Sequence, residues 1–174
     1  MWDRDFPRFD NRLLSSDAAL VDAFEGLAPV SNEYAHLPVG DAFDWSEVAA
    51  QLGAGEWYLV VFRSVRRAIC DEGRLFEIDE RAHQEAATSP GFVFYYKGPL
   101  AVDRTCLSFC MWTSRAEARA AAGRPDHITA VSVLDEMYER YTLEFVRVTG
   151  TPGMQLRFEP YDTPALDPEA PRAA

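Results

Sequence analysis

The sequence predicts an α+β fold: a ferredoxin-like antiparallel sheet in the order β-α-β-β-α-β, preceded by a helical N-terminal extension. Three observations predict it. Strand-like and helix-like runs follow one another in that order between Trp57 and Val148. The run "TCLSFCMW" alternates, with Leu107, Phe109 and Met111 toward one face and Cys106, Ser108, Cys110 and Trp112 toward the other. The run "FVFYY" (92–96) is apolar on both sides. A sheet apolar on both faces must be covered on both. Two helices cover one; the simplest cover for the other is a second copy, so the expected partner is a homodimer formed through the sheet face.

Taken in order, residues 1–13 are polar and mixed, and are expected to be loosely ordered. "SSDAALVDAFEGL" offers Ser16 or Asp17 as an N-cap, with Ala19, Leu20, Ala23, Phe24 and Leu27 at helical spacing. "APVSNEYAHLPVGDAF" is punctuated by prolines and a glycine and reads as a loop along the surface. "DWSEVAAQLGAG" reads as a short helix stopped by Gly53. "WYLVVFRSV" is the first strand, "EIDERAHQEAATSPG" the first helix of the body, and "FVFYYKG" and "TCLSFCMW" the second and third strands. Ser114 and Glu117 form a capping box that starts a helix just past Trp112. Gly123-Arg124-Pro125 breaks that helix, and Pro125 suits the first turn of its restart, which the spacing extends to about Tyr141. "YTLEFVRV" is the fourth strand, and "MQLRFEP" a short fifth. The expected organisation is an acidic extension (1–56), the ferredoxin-like body (57–160) and a Pro/Ala-rich tail (161–174).

Charge and composition exclude some functions. The net charge of −11 argues against a nucleic-acid surface and against anionic membranes. Most of it sits in residues 1–56, which carry 11 acidic and 3 basic side chains. No segment is apolar for long enough to suggest a membrane helix, and "MWDRDFPRFDNR" lacks the basic-then-apolar pattern of a secretory signal. Three cysteines cannot all pair and show no metal-ligand spacing, so a reducing, cytoplasmic location is expected. Lys97 is the single lysine against 16 arginines.

With these elements in place, the chain resembles the dimeric α+β barrel superfamily, close to the antibiotic-biosynthesis monooxygenase-like proteins. The resemblance covers roughly residues 57–149. It rests on the element order, on "SPGFVFYYKG", and on "SFCMWTSRAEARA" followed by "PDH". It implies a dimeric barrel and a pocket between sheet and helices. Members include oxygenases, haem-handling enzymes, isomerases and proteins without known chemistry. Haem degraders of the superfamily carry a helix tryptophan about ten residues before their histidine and an asparagine on the first strand. Here that helix position is Glu117 and the strand offers Arg63 and Ser64, so haem degradation does not carry over, whereas simple haem binding remains open.

His127 shares a helical stripe with Ala130, Val131, Leu134, Met137, Tyr138 and Tyr141, which turns it toward the sheet. Two roles stand for it: acid, base or haem ligand at a cavity, or a hydrogen-bonded histidine capping the core. Arg63, inside an apolar strand, needs a partner: either an anionic substrate or a carboxylate such as Glu85, Asp71 or an acid of a second copy. Tyr96 is a candidate hydrogen-bond donor to substrate. Tyr95, Trp112, His83 and Tyr138 are candidate substrate-lining residues, each with packing as its other reading. No metal is expected, since His83, His127 and a carboxylate on separate helices carry no ligand signature. No Gly-rich phosphate loop is present, so no nucleotide cofactor is indicated. The expected function is binding or cofactor-free oxidation of a small aromatic ligand, against a catalytically silent homodimer that serves protein contacts.

Overall fold

The computed structural model describes residues 17–161. The expectations for residues 1–13 and for most of the tail lie outside the described residues. In chain order the elements are α1 (Ala18–Glu25), a 3-10 turn (Tyr34–His36), α2 (Val39–Ala42), α3 (Ser46–Leu52), β1 (Gly55–Arg66), α4 (Glu72–Ala87), β2 (Phe92–Tyr96) and β3 (Thr105–Trp112). They continue through α5 (Arg115–Ala122), α6 (Pro125–Ser132), α7 (Leu134–Met137), β4 (Tyr138–Gly150) and β5 (Arg157–Pro160). One antiparallel sheet runs β2-β3-β1-β4-β5. Its first four strands have the ferredoxin-like order, with β5 added outside β4.

Local chemistry sets the element ends. Asp17 caps α1 by accepting from the Leu20 amide at 3.1 Å. Asp71 caps α4 through the Arg74 amide at 2.9 Å. Ser114 accepts from the Glu117 amide at 3.3 Å, as the capping box requires. α5 stops at Gly123, and α6 begins on Pro125. The restarted helix does not reach Tyr141. It breaks at Val133, and the strand begins at Tyr138. The reason is the ladder: β4 pairs with β1 from Gly55↔Gly150 to Arg66↔Tyr138, with one bulge near Val65. The aromatic residues of "YERYTLEF" favour that pairing over helix.

β3 alternates as expected, and its two faces meet different partners. Leu107, Phe109 and Met111, each fully buried, turn away from helices α4–α7. They pack with Leu59, Val61, Phe94, Val146 and Val148 against residues of the N-terminal segment. Phe24 of α1 stacks on Phe94 with centroids 4.5 Å apart. Phe43 meets Tyr34, Trp45, Tyr96 and Phe109 edge-on at 5.0–5.9 Å. The indole N–H of Trp45 donates to the Val39 carbonyl at 3.0 Å. The segment expected as a surface loop therefore inserts Tyr34 and Phe43 into the core, and the expected short helix adds Trp45 at its start. Burying one such ring stabilises the fold by about 1.5–3 kcal/mol.

The apolar face expected to meet a second copy is covered by residues 18–52 of the same chain. Among the described residues no helix is long and apolar enough to cross a membrane.

Candidate functional site

The opposite face of the sheet does not close. β3 presents Cys106, Ser108 and Cys110 to the helices, and β1 presents Ser64; α4 and α6 answer with Ala82, Ala86 and Ala130. Small side chains on both surfaces keep the layers from filling the space between them. The result is a cavity of about 130 Å³ walled by Phe62, Phe92, Tyr95, Trp112, Tyr138 and Tyr141, with Leu75, Ile78, Val133 and Leu134. A cavity of this order takes a single benzene-sized ring.

Five of the side chains expected at a site line it: His127, His83, Tyr95, Trp112 and Tyr138. His127 sits in the first turn of α6, where its backbone N–H donates to Glu85 at 3.0 Å. Glu85 also accepts from Arg124, so it fixes the start of α6 to α4. Burial lowers the His127 pKa, while the charge of Glu85 opposes that shift. His83 is buried on α4 and is held lower, at about 4, mainly by burial; the Asp79 charge acts against this and Lys97 adds to it. At neutral pH such a histidine is an uncharged base. Its ring lies 5.1 Å from that of Tyr95 and 5.9 Å from that of Phe92. The indole N–H of Trp112 donates to the Cys110 sulfur at 3.0 Å, which keeps Trp112 edge-on to Phe92.

Two expected site residues stand elsewhere. Arg63 faces the N-terminal segment, where it donates to Glu144 and to the carbonyls of Ala35 and Leu37 at 2.5 and 2.7 Å. The carboxylate beside Arg63 is Glu144, not Glu85, Asp71 or an acid of a second copy. Alternation puts residue 63 opposite residues 62 and 64, which do face the cavity. Tyr96 likewise turns from the cavity: its hydroxyl donates to the Leu27 carbonyl at 3.1 Å and its ring stacks on Phe109. Arg63 instead borders a separate, open groove of about 490 Å³ with His36, Arg140, Thr142 and Glu144.

Sequence reasoning missed a polar cluster at the cavity wall. Asp79 accepts from Lys97 Nζ at 2.6 Å and from the Tyr95 hydroxyl at 3.1 Å. Burial pushes the Tyr95 hydroxyl far above its usual range, so it stays a donor. The signal was present: Leu75, Ile78, Asp79, Ala82, His83 and Ala86 form one stripe at helical spacing. Arg66 was also missed as a lining residue. Among the described residues no three His, Cys, Asp or Glu side chains gather as a metal site. A haem macrocycle is several rings wide, and a cavity with room for one ring does not fit it.

The sequence profile of the PB2B2.08-like family matches residues 8–160. The UPF0643 protein PB2B2.08 of Schizosaccharomyces pombe is 32% identical over 131 residues, covering 66% of this chain and 60% of that protein. Among solved structures, SnoaB, a cofactor-independent oxygenase from Streptomyces nogalater, is 20% identical with a TM-score of 0.44 over 58% of this chain and 98% of its own. A putative antibiotic biosynthesis monooxygenase from Nitrosomonas europaea is 13% identical, with a TM-score of 0.45 over 56% and 91%. A dimeric ferredoxin-like protein of unknown function from Thermobifida fusca is 15% identical, with a TM-score of 0.44 over 56% and 93%.

Proposed function

The chain belongs to the PB2B2.08-like family, and we propose that its cavity binds a small aromatic molecule on which His127 acts as a base, in a cofactor-free oxidation by dioxygen. The observation that supports this most is the pairing of aromatic walls with a histidine whose pKa is lowered, and which is therefore uncharged at neutral pH. Aromatic rings give a planar ligand edge and face contacts. A neutral imidazole at the wall can take a proton from an acidic O–H or C–H of that ligand. The electron-rich anion so formed is the reductant. Dioxygen adds to a ring carbon that bears hydrogen, and the O–O and C–H bonds break. One oxygen stays as a carbonyl, and the other leaves as water with the C–H hydrogen and the proton taken from the phenol. The phenol thereby becomes a quinone and supplies all four electrons. Tyr138 and Trp112 would hold the ring, and His83 and Tyr95 its inner edge.

The free thiols of Cys70, Cys106 and Cys110 support a reducing, cytoplasmic setting for this chemistry. The test uses monocyclic phenols and hydroquinones with an oxygen electrode and a parallel binding titration. Oxygen uptake that His127→Ala lowers at least 100-fold, with binding retained, is the expected result. Binding without uptake reduces the proposal to a ligand-binding protein. Absence of binding to any arene overturns it.

A further inference from the structure

Arg66 is a charged cavity residue that the reading above leaves unused. It closes β1 beside the bulge, and its side chain is only 12% exposed, although its one ion-pair partner, Glu72 at 3.3 Å, is 55% exposed. The cation is therefore buried while its counter-ion stands largely in water, an arrangement that leaves most of the desolvation of Arg66 uncompensated. Its Nε–H is buried and meets no acceptor among the described residues. A largely buried cation whose counter-ion stands in water is costly, and such groups in native folds call for an explanation.

The surroundings supply one. Lys97 brings a second positive charge to the same lining, and the charges of Arg66 and Lys97 both act on the Cys106 thiol, which lies there too. The other polar groups on this part of the sheet, Ser64, Cys106 and Ser108, are neutral. The acids that face it are Asp79, engaged by Lys97 and Tyr95, and Glu72 at the outer edge.

We infer that the ligand is a single aromatic ring carrying one anionic oxygen group, a carboxylate or a phenolate, which pairs with the Arg66 cation and lies in the field of Lys97. The inference deepens the proposed function and rests on the cavity being a ligand site. The ring is limited to one by the volume of about 130 Å³. The charge is set by the Arg66 cation, whose counter-ion Glu72 stands largely in water, because an arene without an anionic group would leave Arg66 as it stands.

The full chain is titrated at pH 7 with benzoate, with benzamide as its neutral counterpart of the same shape, and with 4-nitrophenol. Benzoate is expected to bind at least 10-fold more tightly than benzamide. Arg66→Gln is expected to bring benzoate to the benzamide level and to leave benzamide unchanged. Because Lys97 is the only lysine, acylation of its amine, read by mass spectrometry of the unaltered protein, should slow with benzoate and not with benzamide. That readout needs no variant to fold. Tight 4-nitrophenolate with weak benzoate assigns the group as a phenolate; the reverse assigns a carboxylate. Equal binding of benzoate and benzamide, with 4-nitrophenolate no tighter, overturns the inference and leaves the aromatic cavity standing. Failure of all three to bind overturns both.

Discussion

The two faces of one sheet are built from the same strands and reach opposite ends. β3 gives Leu107, Phe109 and Met111 to the N-terminal side, where Phe24, Tyr34, Phe43 and Trp45 pack with them into one buried cluster. It gives Cys106, Ser108 and Cys110 to the helical side, where Ala82, Ala86 and Ala130 face them across a void. Residue size, alternating along a single strand, decides which layer becomes a solid core and which keeps room for a ligand. The difference also divides the polar groups. Arg63 points to the filled side and is consumed there by Glu144 and two carbonyls, whereas Arg66 lines the open side with a counter-ion that stands largely in water.

The comparison breaks first if the filled face is not a true core. Phe43→Ala removes a ring in contact with four other aromatics. It is expected to cost about 3–5 kcal/mol in urea unfolding. A loss under about 1 kcal/mol would mean that the N-terminal segment lies on the sheet without being part of it.

The open face has its own signature in acid. His83 titrates at about 4 in the folded protein against an ordinary value of 6.5, because burial disfavours its charged form. The unfolded chain therefore takes up the proton first. Stability from this group is complete above about pH 6.5 and drains away as the pH falls toward 4. The loss reaches about 3 kcal/mol at most. His83→Gln should flatten that part of the profile relative to the unaltered chain; identical profiles between pH 7 and 4.5 would show that His83 is solvated.

Arg63 separates the faces in a third way. Arg63→Met strips donors from the Ala35 and Leu37 carbonyls, and is expected to cost about 1–3 kcal/mol. Arene affinity should not change. A fall in affinity with unchanged stability would return Arg63 to the site.

Much of this division could be read from the sequence, and its limits have physical causes. The alternation in "TCLSFCMW" identified the large and small faces, and the stripe on the second body helix turned His127 inward. What covers the large face could not be read, since Tyr34 and Phe43 lie in a proline-broken stretch with no period and Trp45 at the start of a short helix, and only tertiary contact buries them. The expectation of a second copy followed from that gap. Arg63 is a site candidate as a cation inside an apolar strand and Tyr96 as a hydrogen-bond donor, but strand alternation turns both away from the cavity. Asp79 and Arg66 went unnoticed because a charged residue on a helix or at a strand end is ordinarily solvated.

The smallest expected effect sharpens the comparison most, because it makes the same change on both faces. Ala42 is fully buried among the N-terminal aromatics, and Ala86 lines the cavity. Ala42→Leu forces three extra carbons into filled space and should destabilise by about 1–3 kcal/mol. Ala86→Leu directs the same carbons into a void of about 130 Å³, so its stability should stay within about 1 kcal/mol of the unaltered chain. Its cost should appear in binding instead, as at least a 10-fold weaker affinity for a monocyclic arene, since the side chain then occupies the ligand's place. Equal destabilisation by the two substitutions would mean that the helical face closes in solution, and the cavity would lose its claim to a ligand.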